Sequence, residues 1–487
     1  MSDAATQLAP NPIPSTSAKT RILCLGGGSV GLYAALRLHR RLKKDQVQIT
    51  VIDPRPYMQY APFLPEAGAG NIDARDVVAP HRKALKHLDV LQGKVIKIDH
   101  ANKTVTVEPE EGDNYQLAYD HVVVGLGSVS RTLPIPGLAE NGIGFKNVEE
   151  AIAVRNHVLN RMDVAASTTD PKLRQAQLTF TFIGGGFAGI EAVAEIEDMA
   201  RYATRAYETI VPEDLHFTVI EGAPRILPEV SPDMSQWAFD RLQERGIKIY
   251  LNTFLTSCVD GRVVTSGGVE FDSETIVWTA GVKSNPVLAE SSDLPLDRIK
   301  RVTVKPTLQV VTEDGDVVQG AWAAGDCAAV PDVLNEGKFC PPNAQYAIRE
   351  ARVLADNIVA ELRGKPVKDF VHKNVGVVCS LGKWKGVAEF ANQRIKIKGP
   401  LAWLAHRAYH VMAMPTGNRK TRILIGWAGQ ALLGREIISL GSVEDPRHEF
   451  KAVAVPAAPP GVTVEQKAES AAATGVAGEV ASGHDSQ

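Results

Sequence analysis

The chain is expected to be an α/β protein in which two doubly wound, parallel-sheet units are joined in series. Three observations carry that expectation. First, two stretches repeat one glycine spacing: LCLGGGSVGLYAALRL, with Gly26, Gly28 and Gly31, and FTFIGGGFAGIEAVAEI, with Gly184, Gly186 and Gly189. Second, each follows an apolar run suited to a buried parallel strand, Arg21 to Leu25 and Leu178 to Ile183, and each opens an apolar-periodic helix. Third, each unit ends its next apolar run on an acid, Asp53 in QITVIDPRPY and Glu221 in HFTVIEGAPRIL.

This order of strand, glycine turn and helix is the context in which a backbone meets a pyrophosphate. The first glycine makes the tight turn, the second lets the anion approach, and the third lets helix pack on strand, with the helix N-terminus facing the negative charge. Two such turns in one chain imply two dinucleotides. A carboxylate at the end of the second strand accepts hydrogen bonds from both ribose hydroxyls and repels a 2′-phosphate, so NAD(H) and FAD fit better than NADP(H). Glu221 stands farther from its glycines than the usual ~20 residues, which predicts a lengthened helix through Met199 to Ile210. Arg225, four residues beyond Glu221, leaves a contact with a 2′-phosphate open.

The first unit needs more chain to complete a sheet. VVVGLGSVSRTLPIPGL, which includes Gly127, supplies a strand and a proline-rich exit and reads as a crossover between domains. From Phe145 to Val282 a second unit follows, with a helix in VEEAIAVRNHVLNRM and a closing strand in TIVWTAGV. In GAWAAGDCAAVPD, Gly325 and Asp326 place a backbone turn and a carboxylate where a polyhydroxyl chain such as a flavin ribitol would lie. Taken alone, Asp326 reads equally as the N-cap of a helix over Cys327 to Val330.

The remaining composition narrows the class. Among 487 residues, 22% are charged and the net charge is −3, ordinary for a soluble globular protein and no footprint of nucleic-acid binding. No run of 18 apolar residues exists, so no spanning helix is expected. Residues 1–18 are rich in Ala, Pro, Ser and Thr without the regions of a signal peptide, and are read as a flexible lead-in of a chain that stays in the cytoplasm. Cys24, Cys258, Cys327, Cys340 and Cys379 are scattered and odd in number, which argues against a disulfide framework or a metal site. Residues 451–487 offer few large apolar groups and are expected to be a disordered tail.

One segment is compositionally one-sided. From Arg394 to Arg435 the chain has Lys or Arg at 394, 396, 398, 407, 419, 420, 422 and 435 and no Asp or Glu. Leu401, Trp403, Leu404, Tyr409, Val411, Met412, Met414, Ile423, Leu424, Ile425, Trp427, Leu432 and Leu433 interleave with those cations. Two short helices with an apolar surface and a basic rim fit attachment to an anionic leaflet, at ~1 kcal/mol per basic residue near the surface. Packing against the first domain or a homodimer partner accounts for the same composition.

With these residues in place, the chain resembles the two-dinucleotide flavoprotein superfamily and, within it, the type II NADH dehydrogenases. The resemblance runs from about Thr20 to Leu440 and rests on PYMQYAPFLPEAGAG, GGGFAGIEAVAEI, IVWTAGVKSNP, AWAAGDCAAVPD, FVHKNVGVVCSLGKWKGVAEF and GPLAWLAHRAYH. It implies a discontinuous FAD domain (19–144 and 284–372), an inserted NADH domain (145–283) and a membrane-docking domain (373–450). It also implies the chemistry: hydride from nicotinamide C4 to flavin N5, then two electrons to a lipid-soluble quinone, by an enzyme bound peripherally at the cytoplasmic face of the membrane. Glu191 matches a family glutamate that faces nicotinamide and flavin. Gln345 matches the first of two glutamines at the quinone entrance; Arg349 stands where the second is expected, and an arginine donates but cannot accept. Lys373 resembles a family lysine near flavin and quinone, although a solvated surface lysine reads the same.

Other functions use the same plan. A disulfide reductase or a sulfide:quinone oxidoreductase needs flavin-side cysteines that this chain lacks. A soluble NADH dehydrogenase with a protein or small-molecule acceptor is compatible with Arg349. So is a slow NADH-sensing flavoprotein whose nucleotide controls its association.

Overall fold

Thr20–Leu25 is apolar on both faces, as a strand covered on both sides must be, and Ile22, Cys24 and Leu25 are fully buried. It lies in the middle of a six-stranded sheet ordered Gln309–Val311, Val317–Ala323, His121–Val124, Thr20–Leu25, Val47–Asp53, Asp89–Gln92. All neighbours are parallel except the Gln309–Val311 edge. Register sets Leu25 opposite Ile52 and Val124, so three strands end together beneath the first glycine turn. A computed structural model supplies this description for residues 19–372, 376–391 and 393–439. The expected lead-in (1–18), Lys373 and the expected tail (451–487) lie outside the described residues.

Helix α1 (Ser29–Arg41) leaves that turn with Leu32, Ala35 and Leu38 buried against the sheet. A short helix, α2 (Leu64–Gly68), follows the second strand's loop, with Pro65 in its first turn, where the missing N–H costs nothing. The second sheet repeats the scheme with five parallel strands, in the order Gly142–Gly144, Thr275–Trp278, Thr179–Ile183, His216–Ile220, Lys248–Tyr250. Helix α3 (Val148–Ser167) precedes its central strand and begins with a capping box between Asn147 and Glu150. Ser128–Ser130 and Val282–Ser284 pair antiparallel, so the passage out to the second sheet and the passage back run side by side.

The helix after the second glycine turn, α4, covers Phe187–Ala203, not a continuation to Ile210. Beyond it come two 3₁₀ turns, Thr204–Ala206 and Pro212–Asp214. Thr204 Oγ1 donates to the Arg201 carbonyl at 2.9 Å, a local bond that competes with helix propagation, and Pro212 lacks an N–H to extend it. The extra length before Glu221 is therefore a loop, pinned by Arg201, whose guanidinium donates to the carbonyls of Pro212 and Arg245.

Helix α5 (Ala344–Leu362) returns to the first sheet and packs along α1, where Asp356 takes Arg37 bidentately at 2.9 and 2.8 Å. The pair is a third exposed and fixes geometry more than it stabilises, at well under ~1 kcal/mol. A three-stranded antiparallel sheet (Gly376–Ser380, Gly386–Phe390, Ile395–Lys398) leads into the two helices that the composition predicts, α6 (Pro400–Ala413) and α7 (Gly417–Leu433).

Candidate functional site

The two glycine turns are built alike. Gly26 (φ +90°) and Gly184 (φ +118°) adopt backbone that L-residues rarely reach. A Cβ on Gly31 would strike the Gly26 carbonyl, and one on Gly189 would strike the Gly184 carbonyl; helix and strand meet there with no room for a side chain. The middle glycines differ in kind. Around Gly28 and Gly186 a Cβ would meet nothing within 4 Å, because both face a cavity, which is the approach a pyrophosphate needs.

The two acids repeat the symmetry. Asp53 accepts from the N–H groups of Gly27 (2.6 Å) and Arg55 (2.8 Å); Glu221 accepts from those of Gly185 and Ala223, the latter at 2.6 Å. Each oxygen keeps a lone pair for a ribose hydroxyl. Arg225 is not free to meet a 2′-phosphate. Its guanidinium donates to the carbonyl oxygens of Val230 (2.8 Å) and Pro228 (2.6 Å), closing the loop behind Glu221. Phe254, which the sequence reading passed over, is 62% exposed at the cavity wall against Gly222 and offers a flat apolar face beside that acid.

One cavity of about 1930 Å³ reaches both turns. Its wall holds Gly26, Gly28, Asp53 and Gly127 from one unit, Gly184, Gly186, Gly189 and Glu221 from the other, and Gly325, Asp326, Glu191, Gln345 and Arg349 besides. Of the described residues expected at the site, Gly31 alone lies off the wall, packed beneath it. Asp326 does not cap a helix: Gly325–Cys327 is a single 3₁₀ turn that runs into a strand at Ala328–Ala329. Its carboxylate accepts from Ser128 Oγ at 2.6 Å and faces Lys146 Nζ at 3.4 Å. Glu350 was legible only as the neighbour of Arg349, yet it accepts from the Gly325 N–H at 2.7 Å and so holds that turn. Burial pushes its carboxyl up to about 7, against the pull of that N–H.

Gln345 also lies on the cavity wall; its Nε2 is buried beneath the surface and has no hydrogen-bond partner among the described residues. Arg349 Nη1 turns back to the Gln345 carbonyl at 3.0 Å, which leaves the remaining guanidinium N–H groups at the wall. Glu191 Oε1 accepts from the Ser380 N–H at 2.9 Å and stands 3.1 Å from His406 Nε2. Glu195, one turn on, is no surface carboxylate suited to a helix end. It is 1% exposed and accepts from Ser380 Oγ and Asn71 Nδ2, both at 2.7 Å.

The expected basic rim of α6 and α7 is corrected in part, by two buried acids, while Arg394, Lys396, Lys398 and Arg422 remain exposed. Arg407 pairs with Glu66 at 3.1 Å and lies between the rings of Trp403 (3.9 Å) and Trp427 (4.5 Å); Arg419 pairs with Asp76 at 3.0 Å. Arg435 reaches the Glu195 carbonyl and Lys396 pairs with Asp233. Buried carboxylates need partners, and Arg407 and Arg419 supply them instead of facing outward, while Lys396 and its partner Asp233 stay at the surface. The apolar residues divide by face. Trp403, Val411, Met414 and Ile423 point inward, while Leu401, Leu404, Met412, Leu424, Ile425, Leu432 and Leu433 are exposed. Among the described residues no helix is long and apolar enough to cross a membrane, and no group of side chains is arranged to hold a metal.

Comparison with known proteins agrees in kind. The model of the pyridine nucleotide-disulphide oxidoreductase family matches residues 20–351. A type II NADH:quinone oxidoreductase of Staphylococcus epidermidis is 30% identical over 375 residues, covering 76% of this chain and 89% of that protein. One from Haemophilus influenzae is 29% identical over 420 residues, covering 80% and 92%. The structure of Plasmodium falciparum NDH2 in complex with NADH superposes with a TM-score of 0.78 over 86% of this chain and all of that one, at 17% identity. The Aquifex aeolicus sulfide:quinone oxidoreductase gives 0.64 over 86% and 96%, at 18% identity. At such identities the structures speak to the fold alone.

Proposed function

Because the chain belongs to the pyridine nucleotide-disulphide oxidoreductase family and, within it, to the type II NADH:quinone oxidoreductases, we infer that it oxidises NADH and reduces a quinone. The single observation that carries the reading to this chain's own residues is the one cavity that reaches both glycine turns and has Gln345 and Arg349 on its wall. FAD fits the first turn: Gly28 leaves the pyrophosphate approach open, Asp53 keeps lone pairs for a ribose, and Asp326 lies where a ribitol needs an acceptor. NADH fits the second, with Glu221 toward the ribose, Phe254 as a platform for a base, and Arg225 tied to carbonyl oxygens away from a 2′-phosphate.

When bound, FAD supplies a carrier that takes two electrons from NADH and releases them to the acceptor. The chain's own groups position and neutralise. Helices α1 and α4 direct their N-termini at the two pyrophosphates, and Lys146 offsets the charge of Asp326. Gln345 and Arg349 donate to the carbonyl oxygens of a quinone, and Glu191 faces the reacting rings. Disulfide chemistry lacks its groups. All five cysteines are free, and burial pushes the thiols of Cys24 and Cys327 up to about 12, far from the thiolate such chemistry needs.

A lipid surface is the proposed docking partner of α6 and α7, with the enzyme held peripherally. Helix α6 shows Leu401, Leu404 and Met412 to solvent and lends Tyr409, Ala413 and Met414 to the cavity wall, which puts the acceptor's entrance beside the apolar face. With Arg407, Arg419 and Arg435 turned inward and Arg394, Lys396, Lys398 and Arg422 still exposed, insertion of the apolar side chains is the larger contribution and the exposed cations add to it. Flotation with neutral vesicles is expected to succeed at low and high salt alike; protein left in solution under both conditions would sink the proposal.

The reading is tested by mixing the yellow protein anaerobically with NADH and then with a short-chain quinone. Bleaching of the flavin followed by rapid recovery is expected. Bleaching without recovery would keep the NADH half and move the acceptor elsewhere.

A further inference from the structure

Reduction of a quinone by NADH consumes one proton: NADH, a proton and quinone give NAD⁺ and quinol. NADH brings two electrons and one proton, so a second proton enters from the protein. Resting on the quinone-reductase reading, we propose that the buried pair of Glu191 and His406 holds that proton, with His406 acting as a positioning and proton-storing residue behind the cavity wall.

Glu191 is on the wall; His406, on α6, is 1% exposed and lies behind it, with Nε2 3.1 Å from Glu191 Oε1. The approach suits an ion pair, and His406 Nδ1 has no partner among the described residues. A histidine kept for structure is ordinarily tied at its ring nitrogens; this ring is tied by charge alone and has a nitrogen to spare.

The surrounding groups set its charge. Burial opposes a charged ring, but the carboxylates of Glu191 on α4, then Glu66 on α2 and Glu195 on α4, prevail and raise the His406 pKa. Arg407 is spent on Glu66, and Arg435 donates to the Glu195 carbonyl. One turn along α6, His410 shares the cluster, its ring centroid 4.4 Å from that of His406. Burial and then the His406 charge drive its pKa well below the ordinary value, and its Nδ1 meets Tyr60 Oη at 3.0 Å. Two histidines on one helix are thus pushed in opposite directions, 406 towards the charged form and 410 towards the neutral one, an arrangement suited to storing one proton beside an acceptor site.

The test uses the holoenzyme. In stopped flow, quinone-driven flavin recovery in the wild type is expected to slow as pH rises through the His406 pKa. In His406→Gln it is expected to be slower by about tenfold or more at neutral pH, with that pH break lost. Bleaching by NADH and flavin content are expected to stay near wild type. An unchanged rate and pH profile, or equal losses in both half-reactions, would overturn the proton role. A second readout needs no turnover and no variant. In isotope-labelled histidine spectra of the oxidised holoenzyme at neutral pH, one buried imidazolium is expected, and finding every buried ring neutral would refute the proposal. Failure of the quinone reading looks different, since wild-type flavin would then not recover with quinone at any pH.

Discussion

The two glycine turns are near-copies of each other, whereas the end of the cavity that holds Gln345, Arg349 and Glu191 is assembled once, from segments far apart. In the turns the backbone does the recognising. A positive-φ glycine, a helix N-terminus and an acid that accepts from the N–H of the residue after that glycine recur at Gly26 and Gly184, at α1 and α4, and at Asp53 and Glu221. At the acceptor end side chains do it. Glu191 comes from α4, Ser380 from an antiparallel strand, His406 from α6 and Gln345 from α5. A site made of backbone tolerates change everywhere except at its glycines. A site made of side chains depends on each of the distant segments that bring them together.

That contrast is open to direct attack. The largest effects are expected at the glycines. Gly31→Val should yield colourless, flavin-free protein, because a side chain there strikes the Gly26 carbonyl. Gly189→Val should stay yellow but resist bleaching by NADH. Flavin absorbance before and after NADH separates the two, and a fully loaded Gly31→Val would end the equivalence of the turns. A smaller loss is expected from Glu191→Gln, which keeps the shape of the side chain and removes its charge. Colour should be retained while flavin reduction or reoxidation slows by roughly tenfold or more in stopped flow. Wild-type rates in both directions would remove Glu191 from the acceptor end.

The smallest effect is expected between the two regions, at Glu350, which holds the Gly325 turn from α5. Its folded pKa of about 7 stands above the ordinary 4.5, so the folded state binds the proton more tightly than the unfolded one. The resulting stability is complete below the ordinary carboxylate range and is lost as pH rises through 7. The most it could amount to is about 3 kcal/mol. Glu350→Gln keeps an oxygen for the Gly325 N–H and loses the titration. Melting temperatures of variant and wild type should therefore diverge in favour of the variant from pH 5 to pH 8.5. A constant difference across that range would show that Glu350 does not titrate there.

Much of the molecule was legible before any fold was known, and the reason is local. A tight turn, a close helix and an acid at a strand end are dictated by neighbours in the chain, so Gly26, Gly28, Gly31 and Asp53, and their counterparts Gly184, Gly186, Gly189 and Glu221, announce themselves by type and spacing. The C-terminal helices were legible for the same reason, from apolar periodicity and an absence of acids. What spacing could not reach was the partner of each charged group. The cations at 407 and 419 read as a membrane rim until Glu66 and Asp76, more than three hundred residues earlier, come to lie against them. The course of Arg225 was open until the carbonyls of Pro228 and Val230 claimed it. His406 lay in the resemblance-bearing stretch GPLAWLAHRAYH but gave no sign of its role, since that role depends on Glu191, Glu66 and Glu195 converging on one buried ring. The sequence by itself determined the backbone-made sites, because short-range sterics fix them. Only the tertiary structure decided which charges are neutralised and which remain to act, because Coulomb interactions depend on distance in space and on burial, and neither is written along the chain.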